Sequence, residues 1–270
     1  MVHSVRLGIT SVCSPLEVGA EEAPRLLKDM QAAFAGAGFQ GLELIPSAKP
    51  VTDPASAVEV GRHFLDRRVQ AVCVVAASWF EDYLVLDLLE ECPVPVITWA
   101  RPGMETGSLC GMQQLAFILK QLDCPYCFLF DRVDARGALE RAWDYARAAA
   151  LRYDLRRARI GFLGHRVEGM TETTGHELAL KRVFGPRIVG LDTQLLLQQA
   201  EQVPEEVVAP EWERLKAAVG QVTAADEAGI ASLQIYRALK SGVEIGGLSA
   251  VAVGCYPHLM GSVCLAASLL

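Results

Sequence analysis

The first half of the chain alternates short apolar runs with segments of helical spacing, and this alternation restricts the fold more than any other feature. Five runs rich in β-branched and aromatic residues have the length of strands, and helical segments separate them. The run at 69–76 contains almost no polar residue, as expected of a strand covered on both faces. Repeated strand–helix units predict a doubly wound parallel sheet with right-handed crossovers. The predicted strands are residues 4–12, 39–45, 69–76, 94–98 and 126–130.

The second half restarts the same pattern after a long helical stretch at 134–157. We therefore predict two consecutive doubly wound, Rossmann- or flavodoxin-like α/β domains, residues 1–156 and 157–270. Residues 262–270 are apolar on all sides, and such a helix needs cover on more than one face. We accordingly expect the second domain to be incomplete at its C-terminal end. Its predicted strands are 159–163, 187–191 and 248–254, and two helical segments, 205–219 and 224–239, lie between the last two strands.

Charge and hydropathy exclude two classes of partner. The net charge of −7 argues against nucleic acid, because a phosphate-tracking surface needs a basic excess. In the last 23 residues only the side chain of His258 can carry a charge near neutral pH, but glycines and a proline interrupt this apolar segment. A strand, a turn and a buried helix are therefore favoured over a membrane span. The N-terminus lacks a charged start followed by an apolar segment and a cleavage site, so we expect a cytoplasmic location.

The eight cysteines lie mostly in apolar runs, and we expect them to be reduced. One pair, Cys124 and Cys127, has the CxxC spacing of a redox site. A redox pair follows a strand and begins a helix, where the helix dipole lowers the thiol pKa. Here the predicted helix precedes the pair and a strand follows it. A redox protein is thus a minor alternative, and a zinc site is disfavoured because no second Cys/His pair has ligand spacing.

Aromatic and carboxylate side chains follow several of the predicted strands, although no common catalytic signature is present. Trp79 and Glu81 come after the third strand, and Trp99 and Arg101 after the fourth. An aromatic face packs on the C–H face of a sugar while carboxylates pair with its hydroxyl groups. These residues also have structural interpretations. Ser78 to Glu81 fits a capping box at the start of a helix, and Trp79 would then pack that helix against the sheet. Trp99 directly follows a predicted strand and is more typical of a core residue. In the second half, the corresponding loop residues are His165, Arg166, Glu168, Met170, Tyr256 and His258.

Several short segments resemble, in their amino-acid sequence and in their order along the chain, the N-terminal two-thirds of the L-fucose isomerase family. L-arabinose isomerases are more distant relatives. The likeness covers nearly the whole chain, and its specificity lies in the order of the segments. The segments are Ala76-Ala77-Ser78-Trp79; Arg101-Pro102-Gly103 through Gly107-Ser108; 159–175 with Gly164, Gly169 and Met170; Phe184-Gly185 leading to Val189-Gly190-Leu191-Asp192; and Gly254-Cys255-Tyr256-Pro257 with Cys264-Leu265-Ala266.

This resemblance implies an aldose–ketose isomerase that acts on a monosaccharide through an enediol held on a divalent metal, usually Mn²⁺. It implies two doubly wound domains, a third β-rich domain, and a homo-oligomer whose pocket is completed by a neighbouring subunit. Trp79 matches the family's tryptophan that stacks on the sugar in the pocket of a neighbouring subunit. Met170 would border the substrate, and Cys255 and Tyr256 would line the pocket. The family's metal-binding Glu, Asp and His would follow Leu270, so the Mn²⁺ ligands are expected outside this chain.

Two interpretations therefore stay open. The first is the N-terminal part of a metal-dependent sugar isomerase, inactive as this chain alone. The second is a non-catalytic sugar-binding module of two α/β lobes, of the kind found in sugar sensors. Such lobes are usually joined by several crossings of the chain, whereas the sequence predicts a single crossing at 152–159.

Overall fold

The computed structural model describes residues 4–103, 105–171 and 175–270 of the chain. The chain divides into two compact units, Met1–Tyr153 and Asp154–Leu270. Each unit is built on one parallel sheet, so the predicted fold class, two consecutive doubly wound α/β units, is confirmed. Among the described residues no helix has the length and apolar character needed to span a membrane.

The first unit contains a parallel sheet with the strand order β2-β1-β3-β4-β5. Two hydrophobic clusters cover its two faces. One joins the sheet to α1 and α5 and the other joins it to α2, α3 and α4. The elements are β1 (Val5–Val12), α1 (Ala23–Gly36), β2 (Leu42–Pro46), α2 (Pro54–Asp66), β3 (Ala71–Ala76), α3 (Tyr83–Glu91), β4 (Val96–Ala100), α4 (Ser108–Gln121), β5 (Tyr126–Phe130) and α5 (Arg136–Leu155).

The second unit contains a parallel sheet with the order β7-β6-β8. Leu163 of β6 is fully buried in a cluster formed with residues of α7, α9 and α10. Trp212 of α8 packs in a separate small cluster against α9. The elements are β6 (Arg159–Gly164), α6 (Glu177–Val183), β7 (Arg187–Leu191), α7 (Thr193–Glu201), α8 (Glu205–Ala218), α9 (Asp226–Gly246), β8 (Ala250–Gly254) and α10 (Cys264–Leu269).

Two local predictions are wrong. The capping box predicted at Ser78 and Glu81 does not form, because α3 begins only at Tyr83 and both side chains bond elsewhere. The second error is the missed helix α7, which Asp192 caps by accepting hydrogen bonds from the backbone N–H groups of Gln194 and Leu195. An Asp at this position satisfies donors that the first turn of a helix leaves unpaired.

Candidate functional site

The first sheet has a topological switch point between β1 and β3, from which the chain leaves toward opposite faces of the sheet. Helix α1 follows β1 on one face, and α3 follows β3 on the other. In open α/β sheets, ligands bind in the crevice at this point, beyond the carboxyl ends of the strands. The described residues at this edge are 13–19 after β1, 77–82 after β3, and 101–103 and 105–107 after β4.

Trp79 lies at the centre of these three loops. Its backbone N–H donates to the carbonyl oxygen of Thr106 at 2.7 Å, and its carbonyl oxygen accepts from the backbone N–H of Ser14 at 3.1 Å. The Ser78 hydroxyl donates to the same carbonyl at 2.7 Å. The backbone of Trp79 is therefore held by the loops after β1 and β4, while its side chain is only half-buried.

Two carboxylates follow Trp79 directly. Glu81 accepts a hydrogen bond from the Ser14 hydroxyl at 3.3 Å. Asp82 accepts from the side-chain amide of Gln114 at 2.8 Å. Because an ionised carboxylate has about four acceptor positions, both groups keep capacity for donors on a ligand.

Arg101 is anchored at the same edge of the sheet. Its backbone N–H donates to the Ser108 hydroxyl at 3.0 Å, and that hydroxyl donates to the carbonyl of Ala76 at 2.8 Å. Its guanidinium pairs with Glu22 at 2.5 Å. Its Nε is buried and has no hydrogen-bond partner among the described residues. The strand ends and the start of α4 are thus tied together beside Trp79.

A cavity of about 550 Å³ lies at the neighbouring part of this edge. Three arginines line it, and each already holds a carboxylate: Arg25 pairs with Asp29, Arg101 with Glu22, and Arg132 with Asp134. These pairs leave no excess positive charge for an anion. The lining residues are Arg25, Leu26, Asp29, Ala32, Ala33, Arg101, Pro102, Arg132, Val133 and Asp134.

Cys13 is the buried thiol of this region. Burial and, to a lesser extent, the nearby carboxylates of Glu21 and Glu81 together raise its pKa to about 11. The thiolate is the reactive form of cysteine, so this environment disfavours a nucleophilic role for Cys13.

The second sheet has its switch point between β6 and β8, and the ends of these strands are very close. Gly164 and Gly254 are register partners, and a Cβ added to Gly164 would lie 2.5 Å from the carbonyl oxygen of Gly254. Glycine at these ends lets the two loops leave side by side. The rings of His165 and His258, one on each loop, are 5.5 Å apart.

The predicted site residues of the second unit lie in these two loops. Met170 is exposed in the loop after β6, and its backbone N–H donates to the carbonyl of Val167 at 3.2 Å. Tyr256 is exposed in the turn after β8. Cys255 is half-buried and packs against the cluster around Leu163. The fold thus brings Met170, Cys255 and Tyr256 to one edge of the second sheet, while Trp79 belongs to the switch point of the first.

The CxxC pair does not have a redox environment. Cys124 follows α4 and Cys127 lies within β5, so neither thiol begins a helix. Burial raises the pKa of the Cys127 thiol, and the opposing effect of Arg141 is smaller. A redox site needs the opposite shift.

No group of three or more His, Cys, Asp or Glu side chains within 4–103, 105–171 and 175–270 could hold a metal ion. The described residues therefore do not fit a bound Mn²⁺ by themselves.

Two residues of the first site, Ser14 and Gln114, are not among those predicted from the sequence. Ser14 reaches across 65 positions to Trp79 through its backbone and to Glu81 through its side chain. Gln114 is an ordinary exposed residue of α4 in the sequence. No local pattern marks either residue, because both contacts exist only once the strands are ordered in the sheet.

The structure is thus an α/β protein with a switch point in each of its two parallel sheets, and in sequence the chain is similar to sugar isomerases. No family model matches it. It is 27% identical over 193 residues to sulfoquinovose isomerase from Alkalicoccus urumqiensis, covering 69% of this chain and 44% of that protein. Sulfoquinovose isomerase from Priestia aryabhattai is 23% identical over 212 residues, covering 75% and 48%. The chain thus spans about half the length of these relatives.

Among solved structures, an ABC transporter solute-binding protein from Agrobacterium vitis with bound D-fucose aligns with 91% of this chain and 75% of its own. The two sequences are 14% identical and the TM-score is 0.27. A superposition this loose carries no argument about function.

Proposed function

We propose that this chain forms the sugar-contacting part of a metal-dependent aldose–ketose isomerase of the L-fucose isomerase type. The similarity to sulfoquinovose isomerases supports a sugar isomerase, and their name adds a sulfonated hexose to the substrates worth testing. The proposal includes Mn²⁺ held by residues outside this chain, a homo-oligomer with a shared pocket, and a cytoplasmic location. Met170, Cys255 and Tyr256 would line the substrate pocket.

The observation that carries the proposal is Trp79 at the first switch point. Its indole is half-buried, and the two carboxylate residues that follow it, Glu81 and Asp82, accept hydrogen bonds from the side chains of Ser14 and Gln114. An aromatic face of this kind packs on the apolar C–H face of a sugar. The free acceptor positions of Glu81 would pair with sugar hydroxyl groups, which would fix the ring on the indole.

The first test asks for turnover. The purified 270-residue chain is incubated with Mn²⁺ and an aldose, either L-fucose or sulfoquinovose, and ketose formation is measured. We expect no turnover, because the proposed metal ligands are not part of it. Ketose formation by this chain would contradict the placement of the metal site.

The second test asks for binding. The indole N–H resonances of the four tryptophans are followed during titration with the same sugars, and Trp79→Phe assigns one of them. We expect a weak, millimolar shift at Trp79. Trp143, which is also half-buried and stacks on Phe39, is the control and should not respond. Saturation at micromolar sugar would instead favour the two-lobe binding module, and a response that excludes Trp79 would contradict the proposed site.

A further inference from the structure

Two hydrogen bonds link the indole of Trp79 to the carboxylate of Asp82 through Gln114. The Trp79 Nε1–H donates to Gln114 Oε1 at 3.3 Å, and Gln114 Nε2 donates to Asp82 Oδ2 at 2.8 Å. We call this chain of three side chains the indole relay. It spans two elements, because Gln114 lies on α4 and the other two residues precede α3.

The chemistry of the three groups determines which residue can stand in the middle. An indole N–H only donates and an ionised carboxylate only accepts. The bridging side chain must therefore accept at one end and donate at the other, as an amide does. A glutamate in place of Gln114 could still accept from the indole, but it would face Asp82 with a second negative charge.

Helix α4 holds Gln114 in a defined place. The Ser108 hydroxyl at its start donates to the carbonyl of Ala76, and a Cβ added to Gly107 would lie 2.9 Å from the Cβ of Trp79. A Cβ added to Gly111 would lie 3.1 Å from the ring of Phe80. The first turns of α4 are thus packed directly against the segment that carries the indole.

The side chain of Asp82 makes no cap hydrogen bond to helix α3, which follows it, although an Asp at this position commonly caps the first turn. Its carboxylate is instead directed to Gln114. A tryptophan that only stapled the helix to the sheet would not require this arrangement.

We propose that Gln114 and Asp82 are positioning residues that hold the indole plane of Trp79 for stacking on a carbohydrate ring. This inference rests on the proposed function, since it assumes that Trp79 contacts the sugar. A ring fixed in advance loses less side-chain entropy when the ligand binds. The relay therefore contributes to affinity for the sugar without touching the reacting atoms.

The test uses the full chain with four variants: Gln114→Glu, Asp82→Asn, the double variant that carries both changes, and Gln113→Glu. The double variant exchanges amide and carboxylate, so the asparagine can donate to the glutamate and the relay is chemically restored. Gln113→Glu places the same charge on the adjacent exposed position of α4 and serves as the control. The readouts are the Trp79 indole N–H resonance and the shift of that resonance with L-fucose or sulfoquinovose.

We expect Gln114→Glu to move the Trp79 resonance and to weaken the sugar response roughly threefold to tenfold, the range of one lost hydrogen bond. The double variant should recover both, and Gln113→Glu should change neither. Gln114→Glu with unchanged resonance and sugar response would overturn the relay. A moved resonance with an unchanged sugar response would overturn its positioning role alone. Absence of any sugar response at Trp79 in the parent chain would contradict the proposed function instead, and with it the positioning role.

Discussion

Trp79, which follows β3, and Trp99, which lies within the neighbouring strand β4, have different environments. Trp99 is fully buried within β4, its Nε1–H donates to the carbonyl of Asp131 at 2.9 Å, and its ring meets Phe34 edge-on. The interpretation of Trp99 as a core residue is confirmed. Trp79 is only partly buried, and its indole donates a hydrogen bond to an exposed side chain, Gln114. Only the second arrangement leaves an aromatic face for a ligand.

Replacing each tryptophan by alanine should lower the free energy of unfolding by different amounts. We expect Trp99→Ala to lower the free energy of unfolding of the first unit by about 3–5 kcal/mol, because it leaves a cavity and an unpaired carbonyl. Trp79→Ala should cost less than about 2 kcal/mol, since a smaller apolar area returns to water. Urea denaturation measures both. Equal losses would mean that Trp79 is a core residue rather than a binding residue.

The buried cysteine thiols and the tyrosine phenol of the first unit make its free energy of unfolding depend on pH in the alkaline range. The pKa of Cys13 and of Cys92 is raised to about 11 each, and that of Tyr145 to about 12, chiefly by burial. Glu21 and Glu81 contribute to the Cys13 shift, and Cys127 contributes to the Tyr145 shift. Burial also raises the pKa of Cys73. Above the ordinary thiol pKa of 9.0, the unfolded chain loses protons that the folded chain retains.

We therefore expect the free energy of unfolding to be fully retained below pH 9.0 and to fall as the pH rises toward about 11. Urea denaturation across this range measures the slope. Cys13→Ala should make it shallower, while Cys110→Ala, at an exposed position, should leave it unchanged. An identical slope in all three proteins would contradict the assignment of the effect to buried thiols.

At the scale of elements, the strands were predicted more accurately than the helix starts. The strands are apolar runs, and burial on both faces of a parallel sheet makes such runs visible in the sequence. Helix starts depend on which side chain meets the first free N–H groups. At α3 the predicted Ser78 cap fails because its hydroxyl bonds to the carbonyl of Trp79 instead. Helix α7 was missed because it is short and only Asp192 separates it from β7, so no loop marks its start in the sequence.

Gly107 lies at the start of α4, and its replacement by alanine should disturb both that helix and the position of Trp79. Its φ of +66° disfavours any other residue, and an added Cβ would lie 2.9 Å from the Cβ of Trp79. We expect Gly107→Ala to destabilise the first unit by about 1–2 kcal/mol and to move the Trp79 indole resonance.

Gly137→Ala is the matched control, because Gly137 lies within α5 and an added Cβ would meet nothing within 4 Å. That change should stabilise the unit by about 0.5–1 kcal/mol and leave the Trp79 resonance in place. Parallel effects of the two substitutions would show that the packing of Gly107 on Trp79 is unimportant.

At the scale of the whole molecule, the two larger hydrophobic clusters lie entirely within the first unit. The structure divides the chain after Tyr153, within α5, whereas the predicted domain ends at residue 156, one residue after that helix. A shortened chain of residues 1–156 therefore retains every element of the first sheet and its covering helices.

We expect the shortened chain to fold alone, with a near-ultraviolet circular dichroism signal from buried Trp99 and one cooperative urea transition. Its midpoint should coincide with one transition of the full chain, because each unit has its own core. Loss of the near-ultraviolet signal on shortening would contradict independent folding of this domain.

The sequence by itself determined the alternation of strand and helix, the parallel fold class and the loops that carry Trp79, Met170, Cys255 and Tyr256. These features follow from hydrophobic periodicity, which acts over neighbouring residues. Only the tertiary structure decided that Ser14 holds Trp79 and that Gln114 bonds to its indole. The reason is physical: the strand order places segments 35 to 65 residues apart side by side at one edge of the sheet, and nothing local in the chain encodes that meeting.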